Sequence, residues 1–183
     1  IELYYRIGRG YMEALRYWEG REVFLHLHDV ADEEMAEEAL FLAFKCSTQI
    51  LPWDRAYELG NMYMDEFPGG EFFDVLTLAM GQLYAREENW PKVIEHLTRT
   101  LEISPEHSSA AECMFLLGYA CFMEERFEEA IAWLGKVRDR YPESDLMSAV
   151  TYWTAMAYLF QADYEPAAEE FDRVLEDYPD SIY

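Results

Sequence analysis

The chain has 183 residues, of which 51% are hydrophobic and 16% aromatic, and its formal charge is −23. This composition suits one packed domain or about five stacked repeats, and it is not typical of a disordered chain. The acidic excess argues against binding to nucleic acid or to an anionic membrane, because both require clustered Lys and Arg. A partner that this charge attracts would be basic.

The first 31 residues predict two helices. Apolar and aromatic residues recur at helical spacing from Leu3 to Trp18, Gly20 interrupts the pattern, and a second apolar series begins at Val23. The sequence has neither an initiating Met nor a basic segment followed by an apolar one at its start. We therefore expect it to be a segment of a larger protein, with more repeats beyond it.

Residues 32–68 predict the next helix pair. Asp32 opens an acidic segment that is typical of a helix N-terminus, and Pro52 begins the partner helix. No stretch alternates with the period of two that a strand requires, so we expect an all-α fold. Three further helix pairs are predicted over residues 69–105, 106–142 and 143–179.

A fixed period relates these pairs. Four prolines recur at intervals of 37 residues, at Pro68, Pro105, Pro142 and Pro179. Small residues recur at the same interval, at Gly81, Gly118 and Ala155, where we expect two helices to approach closely. Such self-similarity is the signature of a helical solenoid. We predict a single array over residues 1–183, with antiparallel helix pairs in a right-handed superhelix and a divergent first repeat over 1–31.

The three cysteines are predicted to be buried thiols. Cys113 and Cys121 lie eight residues apart on one predicted helix, and this separation of about 12 Å along the axis is too long for a disulfide. An odd number of cysteines also leaves at least one unpaired. Reduced cysteines in such helices behave as small apolar residues.

No catalytic, metal or cofactor site is expected. His26 and His28 fall on different sides of a helix, and neither has a ligand at helical spacing that would complete a metal site. The sequence contains no glycine-rich phosphate loop and no nucleophile motif. The longest uncharged run, residues 146–162, is short and polar for a membrane span, so we interpret it as a solenoid helix.

Three segments share an order of small, apolar and proline residues. They are Met80-Gly81-x-x-Tyr84 with Pro105, Leu117-Gly118-x-x-Cys121 with Pro142, and Ala155-x-x-Tyr158 with Pro179. This order resembles the tetratricopeptide repeat, although that unit has about 34 residues. The phrases Phe127-Glu128-Glu129-Ala130-Ile131 and Ala167-Ala168-Glu169-Glu170-Phe171 resemble the envelope subgroup that includes the Tol-Pal coordinator and the outer-membrane-assembly lipoprotein.

The resemblance implies a concave groove that is lined by the first helix of each pair. The predicted groove residues are Phe115, Tyr119, Phe122, Met123, Tyr152, Met156 and Phe160, together with Lys45 and Arg86. The first seven form an apolar stripe that either lines the groove or belongs to the core. A separate stripe at Leu117, Cys121, Tyr158 and Phe171 is predicted to fill the core. A carboxylate clamp of the kind that chaperone-binding relatives use is not expected, because only Lys45 and Arg86 match it.

Two functions remain open from the sequence. The first is a scaffold that binds a peptide or a basic protein partner in the groove, as a segment of a larger bacterial envelope protein. The alternative is a structural or oligomerisation spacer whose groove is buried against another copy or further repeats. The envelope resemblance implies a periplasmic location, and the cytoplasm is the alternative.

Overall fold

The computed structural model describes residues 1–182, and every regular element in that range is an α-helix. This result confirms the predicted all-α class. The ten helices are α1 (Glu2–Glu13), α2 (Tyr17–Val30), α3 (Glu33–Ser47), α4 (Asp54–Glu66), α5 (Phe73–Arg86), α6 (Trp90–Ile103), α7 (Ala110–Met123), α8 (Phe127–Arg140), α9 (Met147–Phe160) and α10 (Tyr164–Asp177). Among the described residues, no helix has the length and apolarity that a bilayer span requires.

Local sequence accounts for several helix starts. The Asp32 side chain accepts a hydrogen bond from the Met35 amide and caps α3, and the Asn89 side chain caps α6 through the Lys92 amide. Pro91 sits in the first turn of α6, where its missing amide proton costs nothing.

Four of the turns between paired helices have the same backbone conformation. Each contains one non-glycine residue with a left-handed φ, namely Leu15 (57°), Glu88 (55°), Glu125 (58°) and Ala162 (62°). The next amide donates to the carbonyl five residues earlier, as from Arg126 to Cys121 at 2.9 Å. These are Schellman caps, which satisfy carbonyls that the helix end leaves open. An aromatic residue then opens the second helix, at Tyr17, Trp90, Phe127 and Tyr164.

The first helix break was predicted at Gly20 and lies instead at Leu15. Gly20 is buried inside α2, and a Cβ atom on it would lie 3.2 Å from the Cys46 Sγ atom. The glycine therefore permits a close helix contact and does not form a turn.

The chain divides into two compact units, and the division falls within α5. Unit 1 comprises Ile1–Leu83 and unit 2 begins at Tyr84. In unit 1, Phe24 and Phe44 are buried in the core, as is Tyr63. The Tyr63 hydroxyl donates to Glu37 and accepts from the Phe72 amide at 2.9 Å. Burial, followed by the Glu37 hydrogen bond, raises the pKa of the Tyr63 hydroxyl above its usual range.

In unit 2, helices pack against their neighbours in chain order. α7 packs on α6 and α8, and α9 packs on α8 and α10. Leu97, Leu117 and Leu134 are fully buried there. Across the second helices, the Arg138 guanidinium donates twice to the Glu170 carboxylate, at 2.9 and 2.7 Å, and Arg173 donates to it at 2.8 Å.

All three cysteines are buried, as the sequence predicts. Burial raises the pKa of the Cys46 and Cys121 thiols to about 11. A thiol with so high a pKa is a poor nucleophile at neutral pH.

Candidate functional site

Unit 2 contains a connected group of aromatic rings, which we call the aromatic cluster. Its described members are Trp90, Tyr119, Phe122, Phe127, Tyr152, Trp153, Phe160 and Phe171. Trp153 lies at the centre, with ring centroids 4.7 Å from Tyr119, 5.2 Å from Phe122 and 5.3 Å from Tyr152. These pairs meet edge to face, the arrangement that ring quadrupoles favour.

Most rings of the cluster lie on α7 and α9, each of which is the first helix of its pair. Helical spacing places the rings of each helix on a common side. On α7, Tyr119 and Phe122 lie three residues apart, opposite the buried Leu117 and Cys121. On α9, Trp153 and Phe160 lie seven residues apart, which again places them on one face. The second helices contribute their opening residues, as Phe127 contacts both Phe122 and Phe160 at 5.5 and 5.7 Å.

The predicted apolar groove residues fall into two classes of exposure. Phe160 is 60% exposed and Met123 is 41% exposed. The other five are half-buried and none is fully buried: Phe115, Tyr119, Phe122, Tyr152 and Met156. Exposed apolar residues beside half-buried rings form a surface of the kind that partner proteins cover. The role of these residues in binding stays a prediction.

Lys45 and Arg86, the two predicted basic groove residues, belong to different units. Lys45 is exposed on α3 in unit 1, where its Nζ atom lies 5.5 Å from the centroid of the Phe41 ring. Arg86 is exposed in the last turn of α5 in unit 2. Neither belongs to the aromatic cluster.

Sequence reasoning missed Trp153, the central ring. The residue one period earlier is Leu116, so the 37-residue register gives no aromatic signal there. Phe127 was missed for a different reason, and a signal did exist. Trp90, Phe127 and Tyr164 recur at 37 residues and mark the aromatic that opens each second helix.

The predicted core stripe is only partly correct. Leu117 and Cys121 are fully buried, as expected, whereas Tyr158 and Phe171 are half-buried. Phe171 lies on α10, and no described helix follows α10 to cover that face. Tyr158 was assigned to the core from the period alone, which fixes the helix face but not the depth of burial.

The unit that contains the aromatic cluster is acidic. Unit 2 contains 21 Asp and Glu residues against 8 Lys and Arg. Arg126, at the turn beside Phe127, is already paired with Glu129, with N–O distances of 2.7 and 2.6 Å. The hydrogen bond from Arg126 lowers the pKa of the Glu129 carboxyl. Unit 2 therefore has few cationic groups, and Arg126 is one that is already paired.

Within residues 1–182, no three or more His, Cys, Asp or Glu side chains are grouped so that they could hold a metal ion. What the arrangement can do is provide apolar and aromatic contact area within an acidic unit.

Comparison with protein families yields one family. A model described as tetratricopeptide repeat matches residues 74–143, and a second model of the same description matches residues 149–181. Together these matches span more than half of the chain. No curated protein matches it.

Solved structures with the same fold cover nearly the whole chain. The structure of MamA 41-end from Desulfovibrio magneticus RS-1 is 18% identical, with a TM-score of 0.72, and the match covers 100% of this chain and 97% of that one. Another MamA structure is 16% identical, with a TM-score of 0.74 and coverage of 96% and 90%. YrrB, described as a TPR protein with an unusual peptide-binding site, is 18% identical, with a TM-score of 0.71 and coverage of 98% and 87%. These likenesses confirm the predicted class, an all-α solenoid of tetratricopeptide type.

Proposed function

Because this chain belongs to the tetratricopeptide repeat family, we propose that it is a non-enzymatic scaffold that binds a peptide or protein on the aromatic cluster of unit 2. One observation carries the proposal: Phe160 is 60% exposed although its ring contacts Phe122 and Phe127, and Met123, which follows Phe122 in the chain, is 41% exposed. The description of YrrB, a structural neighbour with a peptide-binding site, supports the same class of function.

Apolar anchoring is the source of affinity in this proposal. A partner side chain packs against Phe160 and Met123, and the neighbouring rings are already fixed by edge-to-face contacts. Rigid aromatic surfaces lose little entropy on binding and often dominate contact energies. We expect Phe122 and Tyr152 to be the energetic centre, because each is half-buried and each contacts Trp153.

The acidic charge of unit 2 selects a partner of basic character. With 21 acidic and 8 basic side chains, unit 2 repels acidic peptides and attracts basic ones over about one Debye length, roughly 8–10 Å at physiological salt. Such steering raises the association rate more than the residence time. Added salt should therefore slow association and leave the apolar contacts intact.

The cellular setting is also part of the proposal. We propose that the chain is a segment of a larger bacterial envelope protein that acts in the periplasm. The repeated phrases at residues 127–131 and 167–171, which resemble the envelope subgroup, support this location. Fractionation of cells that express the full gene product tests it, and recovery in the cytoplasm would contradict it.

The binding proposal is tested with short fluorescein-labelled peptides of three designs. One carries Lys and Arg around a Leu or Phe anchor, one replaces the basic residues with Glu, and one replaces the anchor with Ala. Fluorescence anisotropy with the whole chain should show binding of the first design only. Phe160→Ala and Met123→Ala should each weaken it by about fivefold or more. Ile103→Ala, an exposed apolar residue of α6 outside the aromatic cluster, is the matched control.

Three outcomes would contradict the proposal. Equal binding of the basic and acidic peptides would refute the proposed role of charge. Normal binding by the stable Phe160→Ala variant would place the partner elsewhere. A change in the mass of the chain on Phe160→Ala would instead favour the alternative function, in which this surface is buried against another copy.

A further inference from the structure

Three large apolar side chains of unit 1 are exposed where its helices turn. Leu15, in the turn between α1 and α2, is 71% exposed, and Trp18, in the first turn of α2, is 60% exposed. Leu51, in the connection between α3 and α4, is 74% exposed. We call these three residues the apolar turn residues. Large apolar side chains with this much exposure are candidates for contact with a partner surface.

The apolar turn residues lie at one end of unit 1. A Cβ atom on Gly20, in the first turn of α2, would lie 3.2 Å from the Cys46 Sγ atom and 3.6 Å from the Met12 Cγ atom. The end of α1, the start of α2 and the end of α3 therefore meet there. The Trp53 indole donates a hydrogen bond to the Thr48 carbonyl at 3.1 Å, which holds the connection between α3 and α4 against the same end of α3.

Stacking of neighbouring helices does not cover two of these positions. The shared left-handed turn aligns Leu15 with Glu125 and Trp18 with Glu128, at the start of α8. α7 and α9 both pack on α8, and both glutamates are nevertheless exposed. The corresponding residues at the start of α6 and α10 are also exposed: Glu88, Pro91, Ala162 and Glu165. Unit 1 thus has large apolar side chains at positions that stay exposed in a packed array.

The charges at this end of unit 1 nearly cancel. Residues 13–22 and 45–58 contain five acidic and four basic side chains, whereas the whole chain has a formal charge of −23. Three of the basic side chains form ion pairs with close neighbours in the chain, namely Arg16 with Glu19, Arg21 with Glu22 and Arg55 with Glu58. A basic partner gains little attraction at this end, and the rest of the chain repels an acidic one. The charge pattern therefore favours a partner surface without net charge.

Trp18 is held in a fixed position at this surface. The Arg21 Cζ atom lies 4.1 Å from the centroid of the Trp18 ring, and Arg21 is only 6% exposed. The guanidinium therefore covers part of the indole through a cation–π contact, and the rest of the ring is exposed. Tryptophan combines an apolar body with a polar N–H group, and it is enriched at the boundary between water and lipid.

We propose that the apolar turn residues insert into the headgroup layer of a zwitterionic lipid surface. They project from helix turns, and a fluid interface accommodates projecting side chains, whereas a protein partner would have to supply a matching pocket for each. The formal charge of −23 repels an anionic bilayer, so the lipid surface carries no net charge. The contact uses neither Phe160 nor Met123, so its test is independent of the peptide-binding proposal.

The test uses the whole chain and vesicles of phosphatidylcholine. Co-sedimentation of the parent should show a bound fraction that rises with lipid concentration. Leu15→Glu, which introduces the residue type of two equivalent turns, and Leu51→Ser should each weaken binding by about fivefold or more. Val30→Ser is the matched control, because Val30 is 50% exposed and lies at the opposite end of α2. All three variants should melt as the parent does, since each substitution is at an exposed residue.

Brominated phosphatidylcholine locates the contact on the chain. It should quench part of the tryptophan emission of the parent, and Trp18→Phe, which keeps an aromatic ring over Arg21, should reduce that quenching. A parent that does not bind phosphatidylcholine vesicles overturns the proposal, as does an equal loss of binding in Val30→Ser.

Two further results would also overturn the proposal. The first is tighter binding to vesicles that contain phosphatidylglycerol, because the negative charge of the chain would then not govern the contact. The second is a parent mass above 21.6 kDa in sedimentation velocity that Leu15→Glu returns to 21.6 kDa, which would assign this end of unit 1 to a second copy.

Discussion

The close contact of α7 with α8 predicts opposite effects for two glycine substitutions in unit 2. At Gly118, a Cβ atom would lie 2.9 Å from the Leu134 Cγ atom and 3.0 Å from its Cδ2 atom. Leu134 is fully buried, so it cannot swing into solvent. At Gly135 in α8, a Cβ atom would meet nothing within 4 Å.

The magnitudes follow from two competing terms. Replacing a helical glycine by alanine gains about 0.5–1 kcal/mol, because glycine has more backbone freedom to lose on folding. Overpacking a core contact costs about 1–3 kcal/mol. Gly118→Ala should therefore destabilise the chain by about 1 kcal/mol and Gly118→Leu by about 2 kcal/mol or more, whereas Gly135→Ala should stabilise it by about 0.5–1 kcal/mol.

Urea unfolding followed by far-ultraviolet circular dichroism measures these differences. The comparison requires unchanged slopes, because a change in slope indicates loss of cooperative unfolding in a repeat array. If Gly118→Ala stabilises the chain as much as Gly135→Ala does, the helix contact at Gly118 is looser than the structure places it. The residue register derived from the 37-residue period would then be wrong as well.

Three further predictions concern the turns, the ion pairs and the thiols of unit 2. Ala162→Gly should stabilise the chain by about 0.5 kcal/mol, because glycine adopts the left-handed φ of 62° without strain. In the same urea assay, Ala132→Gly within α8 should destabilise the chain by about 1 kcal/mol, because glycine loses more backbone freedom in a helix. Glu170→Ala should lower the free energy of unfolding by about 2 kcal/mol, and Arg138→Ala should lower it by about half of that, because Arg173 still pairs with Glu170 in the second variant. Equal losses in thermal melts would refute this order. Burial raises the pKa of the Cys121 thiol to about 11. At about pH 8 this thiol should therefore react with a thiol reagent about 100-fold more slowly in the folded chain than in urea. Equal rates would refute its burial.

The sequence predicted the helices well wherever a local signal and the period agreed. Asp32 was predicted to open a helix, and its side chain caps α3. Five helix pairs were predicted, and ten helices lie among the described residues. The small residue at Gly118 was predicted to lie at a close helix contact, and the structure confirms this with Leu134.

The turn at Leu15 could not be predicted from its residues. A left-handed φ is unfavourable for leucine, so residue identity pointed to Gly20 instead. The turn forms because Schellman hydrogen bonds and the packing of α1 on α2 outweigh that local preference.

The aromatic cluster was only partly predictable. Helical period places Tyr119, Phe122 and Phe160 on one side of their helices, and this much follows from sequence. The position of Trp153 between α7 and α9 depends on how one helix is rotated against the other. The packing of whole helices sets that rotation, so it cannot be predicted from the identity of any one residue.

The central claim is that a partner binds on the aromatic cluster, and methyl resonances of methionine measure this most directly. With ¹³C-methyl labelling, titration of the tightest basic peptide should shift the signals of Met123, which follows Phe122 in α7, and of Met156, which lies three residues after Trp153 in α9. The signals of Met64 and Met80, both buried in unit 1, should not move. Shifts confined to methionines of unit 1, with Met123 and Met156 unchanged at saturation, would contradict the account.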